Sequence, residues 1–121
     1  MKNNSENIVQ GKSYAFALRV IKLYQFLSQK NEFILGRQTL KSGTSIGANV
    51  EEAIQAESKA DFIHKLSIAL KEANETRYWL NLLRDSEILN NDENTKSLIN
   101  DCIELIKLLT AIINTSKKID S

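Results

Sequence analysis

The chain has no proline in 121 residues and only four glycines. A sheet protein needs turn residues at frequent intervals, so a sequence this poor in both points to long helices. Its single cysteine, Cys102, cannot close a disulfide within the chain, which suits a reducing, cytoplasmic setting. A lone histidine, His64, rules out a ferritin-like di-metal site, which needs two Glu-x-x-His units on separate helices. No apolar run approaches the ~18 residues of a membrane span. The opening MKNNSENIVQGK lacks the apolar stretch of a signal peptide. One all-α domain is expected, with no membrane association, metal or cofactor.

What is present is helical periodicity. Residues 1–10 are polar and aperiodic and are expected to be flexible, leaving a domain over residues 11–118. From about Gly11 or Lys12 to Gln29, the residues Phe16, Val20, Leu23 and Leu27 repeat at the spacing of one helix face. Asn31 reads as the N-cap of a second helix running from about Glu32 to Glu57. Ser58 with Asp61 three residues on is a capping box, and opens a third helix whose stripe is Phe62, Leu66, Ala69, Ala73, Leu80 and Leu83. After the acid-rich link NNDEN at 90–94, a fourth helix repeats Leu98, Cys102, Leu105, Leu109 and Ile112. Short links force neighbouring helices to run antiparallel, which gives an up-and-down four-helix bundle.

Two of the glycines, Gly43 and Gly47, sit within RQTLKSGTSIGANVEEA at 37–53. A phosphate-cradling loop would need a strand before it and a Lys-Ser/Thr pair after the last glycine, and Ala48 and Asn49 stand there instead. The alternative is an unbroken helix with Gly36, Leu40, Gly43, Gly47, Val50 and Ile54 on one face. Each glycine costs that helix roughly 1 kcal/mol relative to alanine, and close approach of a neighbouring helix is the compensation. Asn49, among small residues, is expected to help fix the helix register.

The most specific segments are SGTSIGANVEEA at 42–53 and ADFIHKLSIALKEANET at 60–76. They resemble the signature of the 23S ribosomal RNA intervening-sequence proteins, and the similarity runs from about Tyr14 to Lys118. The resemblance implies a four-helix protomer, a ring-forming homo-oligomer of typically five copies, and no assigned catalytic activity. A branch similar in fold, the accessory proteins of diversity-generating retroelements, binds nucleic acid and a reverse transcriptase, and is more basic than this chain.

Charge is unevenly spread. Residues 1–50 hold seven Lys/Arg against two acids, net +5, and residues 51–121 hold nine against thirteen, net −4. Two explanations fit: the halves pair with each other, or the basic half attracts RNA or DNA. The nucleic-acid candidates are Lys12, Arg19 and Lys22 on the first helix and Arg37 and Lys41 on the second. The third helix is apolar on two sides, so Ile68, Trp79 and Leu82, with Phe26 of the first helix, are the expected oligomer contacts. The carboxylates Glu51, Glu52, Glu72 and Glu75 have no histidine or positioned nucleophile beside them, so no enzyme is expected. The sequence therefore predicts a non-enzymatic oligomer that binds nucleic acid, RNA foremost. Its rival is a protein–protein adaptor accessory to a nucleic-acid-processing enzyme.

Overall fold

The computed structural model describes residues 4–119, which form four helices and, among those residues, no strand. They are α1 (Asn4–Gln29), α2 (Phe33–Ile54), α3 (Lys59–Asp85) and α4 (Glu93–Ile119). Each helix lays its backbone close against the next and α4 closes the cycle onto α1, while diagonal helices share the core through their side chains, as Leu27 of α1 and Leu83 of α3 do in one buried cluster. Partners run in reverse order along adjacent helices. Gly43 faces Val20 while Gly47 faces Ser13, and Lys65 reaches Glu52 while Thr76 reaches Ser42. The arrangement is up-and-down, as the short links require.

α1 starts well before Gly11. Val9 is buried in the same core as Phe16 and Val20, and its burial carries the helix through the polar segment. Of the expected flexible segment, residues 1–3 lie outside the described residues. Asn31 does not cap α2. It adopts a left-handed conformation, φ 62°, with its N–H on the Ser28 carbonyl and the Glu32 N–H on that of Leu27. Those are the two bonds that close a helix C-terminus, and asparagine tolerates the backbone they demand. Ser58 does cap α3, its Oγ accepting from the Asp61 N–H at 3.0 Å. The extended backbone at that cap ends α2 at Ile54, short of Glu57.

The expected stripes supply most of the core: Phe16, Val20, Leu66, Leu80, Leu105 and Leu109 are all fully buried. Ile46 of α2, outside the expected face, is fully buried with them. Each such side chain contributes roughly 1.5–3 kcal/mol from burial, before the conformational entropy that offsets it. The glycines of α2 line the seam with α1. A Cβ placed on Gly43 would stand 2.8 Å from Val20 Cγ1, and one on Gly47 would stand 3.4 Å from the Ser13 carbonyl oxygen. α2 remains helical through this stretch. Thr44 and Ser45 return their hydroxyls to the Leu40 and Lys41 carbonyls at 2.8 and 2.7 Å. Backbone N–H groups inside an unbroken helix are already bonded, so no anion cradle exists here. The small residues serve close packing.

Candidate functional site

The five candidate cations do not form one patch. Lys12 and Arg19 lie along the seam between α1 and α4, where Lys12 meets Glu104 at 3.0 Å and Arg19 meets Asp101 at 2.6 Å. Arg19 also donates to Ser97 Oγ and Asn94 Oδ1, both at 3.1 Å. Part of the charge asymmetry is thus settled inside the protomer, the basic first half against the acidic second. Partly exposed pairs of this kind contribute at most about 1 kcal/mol each, but each sets a carboxylate against its cation. Lys22, Arg37 and Lys41 are exposed. Among the described residues Lys22 and Arg37 have no carboxylate at ion-pair distance. Arg37 instead places its guanidinium 5.7 Å from the centre of the Phe33 ring.

Lys22 and Arg19 open onto a groove of about 430 Å³ between α1 and the start of α4, which Phe26, Lys30, Asn90 and Asn94 also line. Lys30 Nζ stands 4.6 Å from the centre of the Phe26 ring. Asp92 is the one carboxylate on this wall. Its Oδ1 accepts from the Thr95 N–H at 2.9 Å, capping α4, and that bond holds its pKa below the ordinary value. Lys30 and Phe33 stand outside the sequence-based set. The spacing that reveals them is i, i+4: Phe26 with Lys30, and Phe33 with Arg37, pair a ring with a cation one helical turn away.

The expected oligomer contacts divide as well. Ile68, Trp79 and Leu82 share α3, whereas Phe26 lies on α1, the helix diagonal to it. Trp79 is half-buried; its Nε1–H donates to Glu75 Oε2 at 3.1 Å, and its ring meets that of Tyr78 edge-on at 5.2 Å. Burial first, and then the neighbouring Glu75 charge, raise the pKa of Glu72, against the opposing pull of Lys41 and Lys71. Larger apolar exposures stand elsewhere: Ile34 on α2 is 78% exposed and Tyr14 on α1 is 67% exposed. An outward-facing Tyr or Ile carries no periodic signal, so sequence reasoning passes over both.

The remaining candidates are structural. Gly43 and Gly47 face α1. Asn49 is half-buried and turns its amide onto its own helix, donating to the Ser45 carbonyl at 2.9 Å. Cys102 is buried, donates to the Ala73 carbonyl at 3.3 Å, and has its thiol pKa pushed up to about 12 by burial. A thiol in that state is no nucleophile at neutral pH. His64 is exposed, and among the described residues no three His, Cys, Asp or Glu side chains gather where a metal would sit.

These features define an all-α protein of four antiparallel helices, carrying a basic, ring-studded turn between the first two. The chain belongs to the 23S rRNA-intervening sequence protein family, whose profile matches residues 5–111. That match reaches back beyond Tyr14, as α1 does. A crystal structure of a protein of unknown function from the S23 ribosomal protein family of Bacteroides thetaiotaomicron is similar to it. Identity is 53% and the TM-score 0.87, over 91% of this chain and 98% of that one. No protein of curated function matches the chain.

Proposed function

We propose that this protein is a non-enzymatic cytoplasmic scaffold that assembles with copies of itself and holds nucleic acid, RNA foremost, on the basic faces of α1 and α2. One observation carries the reading. Lys22 and Arg37 stand exposed on one hairpin with no carboxylate among the described residues to neutralise them, and Lys41 is exposed near them in sequence on α2. Cations free of internal partners are the ones that release counterions when a phosphate chain docks. The family's description, which refers to 23S rRNA, makes RNA the first polyanion to try.

Two exposed faces of unlike character support self-assembly. α1 and α2 present Tyr14, Leu18, Ile21 and Ile34 beside Lys22 and Arg37, while α3 presents Tyr78 and Leu82 beside Glu75, with Asp85 already paired to Arg84. Unlike faces that complement each other join head to tail, and such contacts close into rings when the rotation permits. Five copies is the number that the resemblance implies. The same apolar exposure supports the second reading, an adaptor that docks a protein partner.

A salt titration of binding to RNA and DNA separates the two. Affinity that falls steeply with salt, and drops when Lys22, Arg37 and Lys41 are changed to Gln, supports the nucleic-acid reading. Absence of binding at low salt leaves the adaptor. Sedimentation of the full chain tests assembly, and a monomer at micromolar concentration would refute it.

A further inference from the structure

The pairing of rings with cations at one end of the molecule says more than a basic surface does. Lys22 and Phe26 on α1 and Lys30 in the turn just past its end follow one another at four-residue spacing, and Phe33, Arg37 and Lys41 do the same on α2. The two series flank the turn at Lys30–Glu32. In the first, Phe26 is 42% exposed although the Lys30 ammonium already stands over its ring, so surface remains for another flat group. The groove beside it is lined by Arg19, Lys22 and Lys30 together with Asn90 and with Asn94, whose Oδ1 accepts from Arg19. Its single carboxylate, Asp92, is turned to the first turn of α4. A duplex hides the faces of its bases. An unpaired nucleotide offers a base face, a base edge and a phosphate together, which are the three chemistries this groove supplies.

We infer that the groove at the α1–α2 turn seats an unstacked nucleotide of single-stranded nucleic acid, its base on Phe26 and its flanking phosphates on Lys22 and Lys30. The Asn90 carboxamide faces the base edge, and Phe33 with Arg37 receives the strand beyond the turn. Arg19 and Lys12, held by Asp101 and Glu104, take little part. The inference rests on the nucleic-acid reading above and sharpens it, replacing a general attraction for phosphate by selection of unpaired strands.

The test uses the full-length protein and labelled twelve-nucleotide RNA and DNA, single-stranded and as the matching duplexes, in fluorescence anisotropy at several salt concentrations. The expected result is tighter binding of single strands than of duplex. Phe26→Ala should weaken single-strand binding by about tenfold, the scale of one lost base–ring stack, and leave duplex binding unchanged. Phe26→Trp should restore it. Lys22→Gln with Lys30→Gln should lower both affinities and flatten the salt dependence, while Lys107→Gln on α4 should change neither. Thermal melts accompany each variant, and if Phe26→Ala melts early then Phe26→Leu takes its place. Equal binding of strand and duplex, insensitive to Phe26, overturns this inference and leaves the broader reading standing. No binding of any probe at low salt removes both. Competition by free adenosine monophosphate as strong as by the oligonucleotide overturns the strand assignment, showing a mononucleotide pocket instead.

Discussion

Thr76 Oγ1 lies 2.8 Å from Ser42 Oγ, and both side chains are completely buried between α2 and α3. Thr76 also reaches the Glu72 carbonyl of its own helix at 2.7 Å. Ser42 has a weaker alternative, the Thr39 carbonyl at 3.5 Å. A hydroxyl pair in an apolar core favours one turn of α2 against one turn of α3, because a slip breaks the bond between the helices and leaves Ser42 only its weak contact with the Thr39 carbonyl.

Removing one member of that pair should therefore destabilise more than removing both would suggest. Thr76→Val is expected to lose about 1–3 kcal/mol by stranding Ser42. The double change with Ser42→Ala should recover part of it, giving a coupling of roughly 0.5–1.5 kcal/mol in a urea-unfolding cycle. Strict additivity would show that the two hydroxyls act independently.

The glycines separate packing from propensity. Gly11 is exposed within α1, and a methyl added to it would meet nothing within 4 Å. Gly11→Ala should gain about 0.5–1 kcal/mol from helix propensity alone. At Gly43 the same gain is opposed by a methyl 2.8 Å from Val20 Cγ1, and Gly43→Ala should destabilise by about 1–3 kcal/mol. Val20→Ala in the Gly43→Ala background should relieve part of that loss, and denaturant midpoints with unchanged slopes would establish it.

Glu72 sets a pH dependence of known sign. Its pKa in the folded chain is raised above the ordinary 4.5, so the folded state binds this proton more tightly than the unfolded chain does. The group therefore favours folding as pH falls through its folded pKa and opposes folding when ionised at neutral pH. Glu72→Gln should raise the melting temperature slightly at pH ~7 and lose that advantage near pH ~4, where the wild-type carboxyl is largely protonated. An advantage that persists unchanged at acid pH would assign the effect to something other than ionisation.

Cys102 should resist alkylation in the native protein at pH ~8, because its pKa near 12 leaves almost no thiolate. Its single thiol should react at a normal rate once denaturant exposes it. Rapid native labelling, followed by mass spectrometry, would show that α4 opens away from α3.

The helices and their buried faces are legible in the sequence because periodicity is a property of the chain itself. The stripe from Leu98 to Ile112 is buried as its spacing requires, and Ser58 with Asp61 marks the start of α3 one residue before Lys59. Asn31 misleads because a left-handed C-terminal residue and an N-cap favour the same amino acid, and only the hydrogen bonds across the turn tell them apart. Val9 escapes notice because polar Gln10, Gly11, Lys12 and Ser13 separate it from the stripe, although it stands seven residues before Phe16 and so continues the same helix face.

The candidate site divides along the same line. Four amphipathic helices, their antiparallel order, the small-residue seam at Gly43 and Gly47, and a basic first half are all written in the order of residues, since each is local or a simple sum. Which cations remain available is settled only when the helices pack. Asp101 and Glu104 lie some eighty or ninety positions beyond the α1 side chains they bind, and a charge is neutralised by what stands a few ångströms away, at whatever distance along the chain.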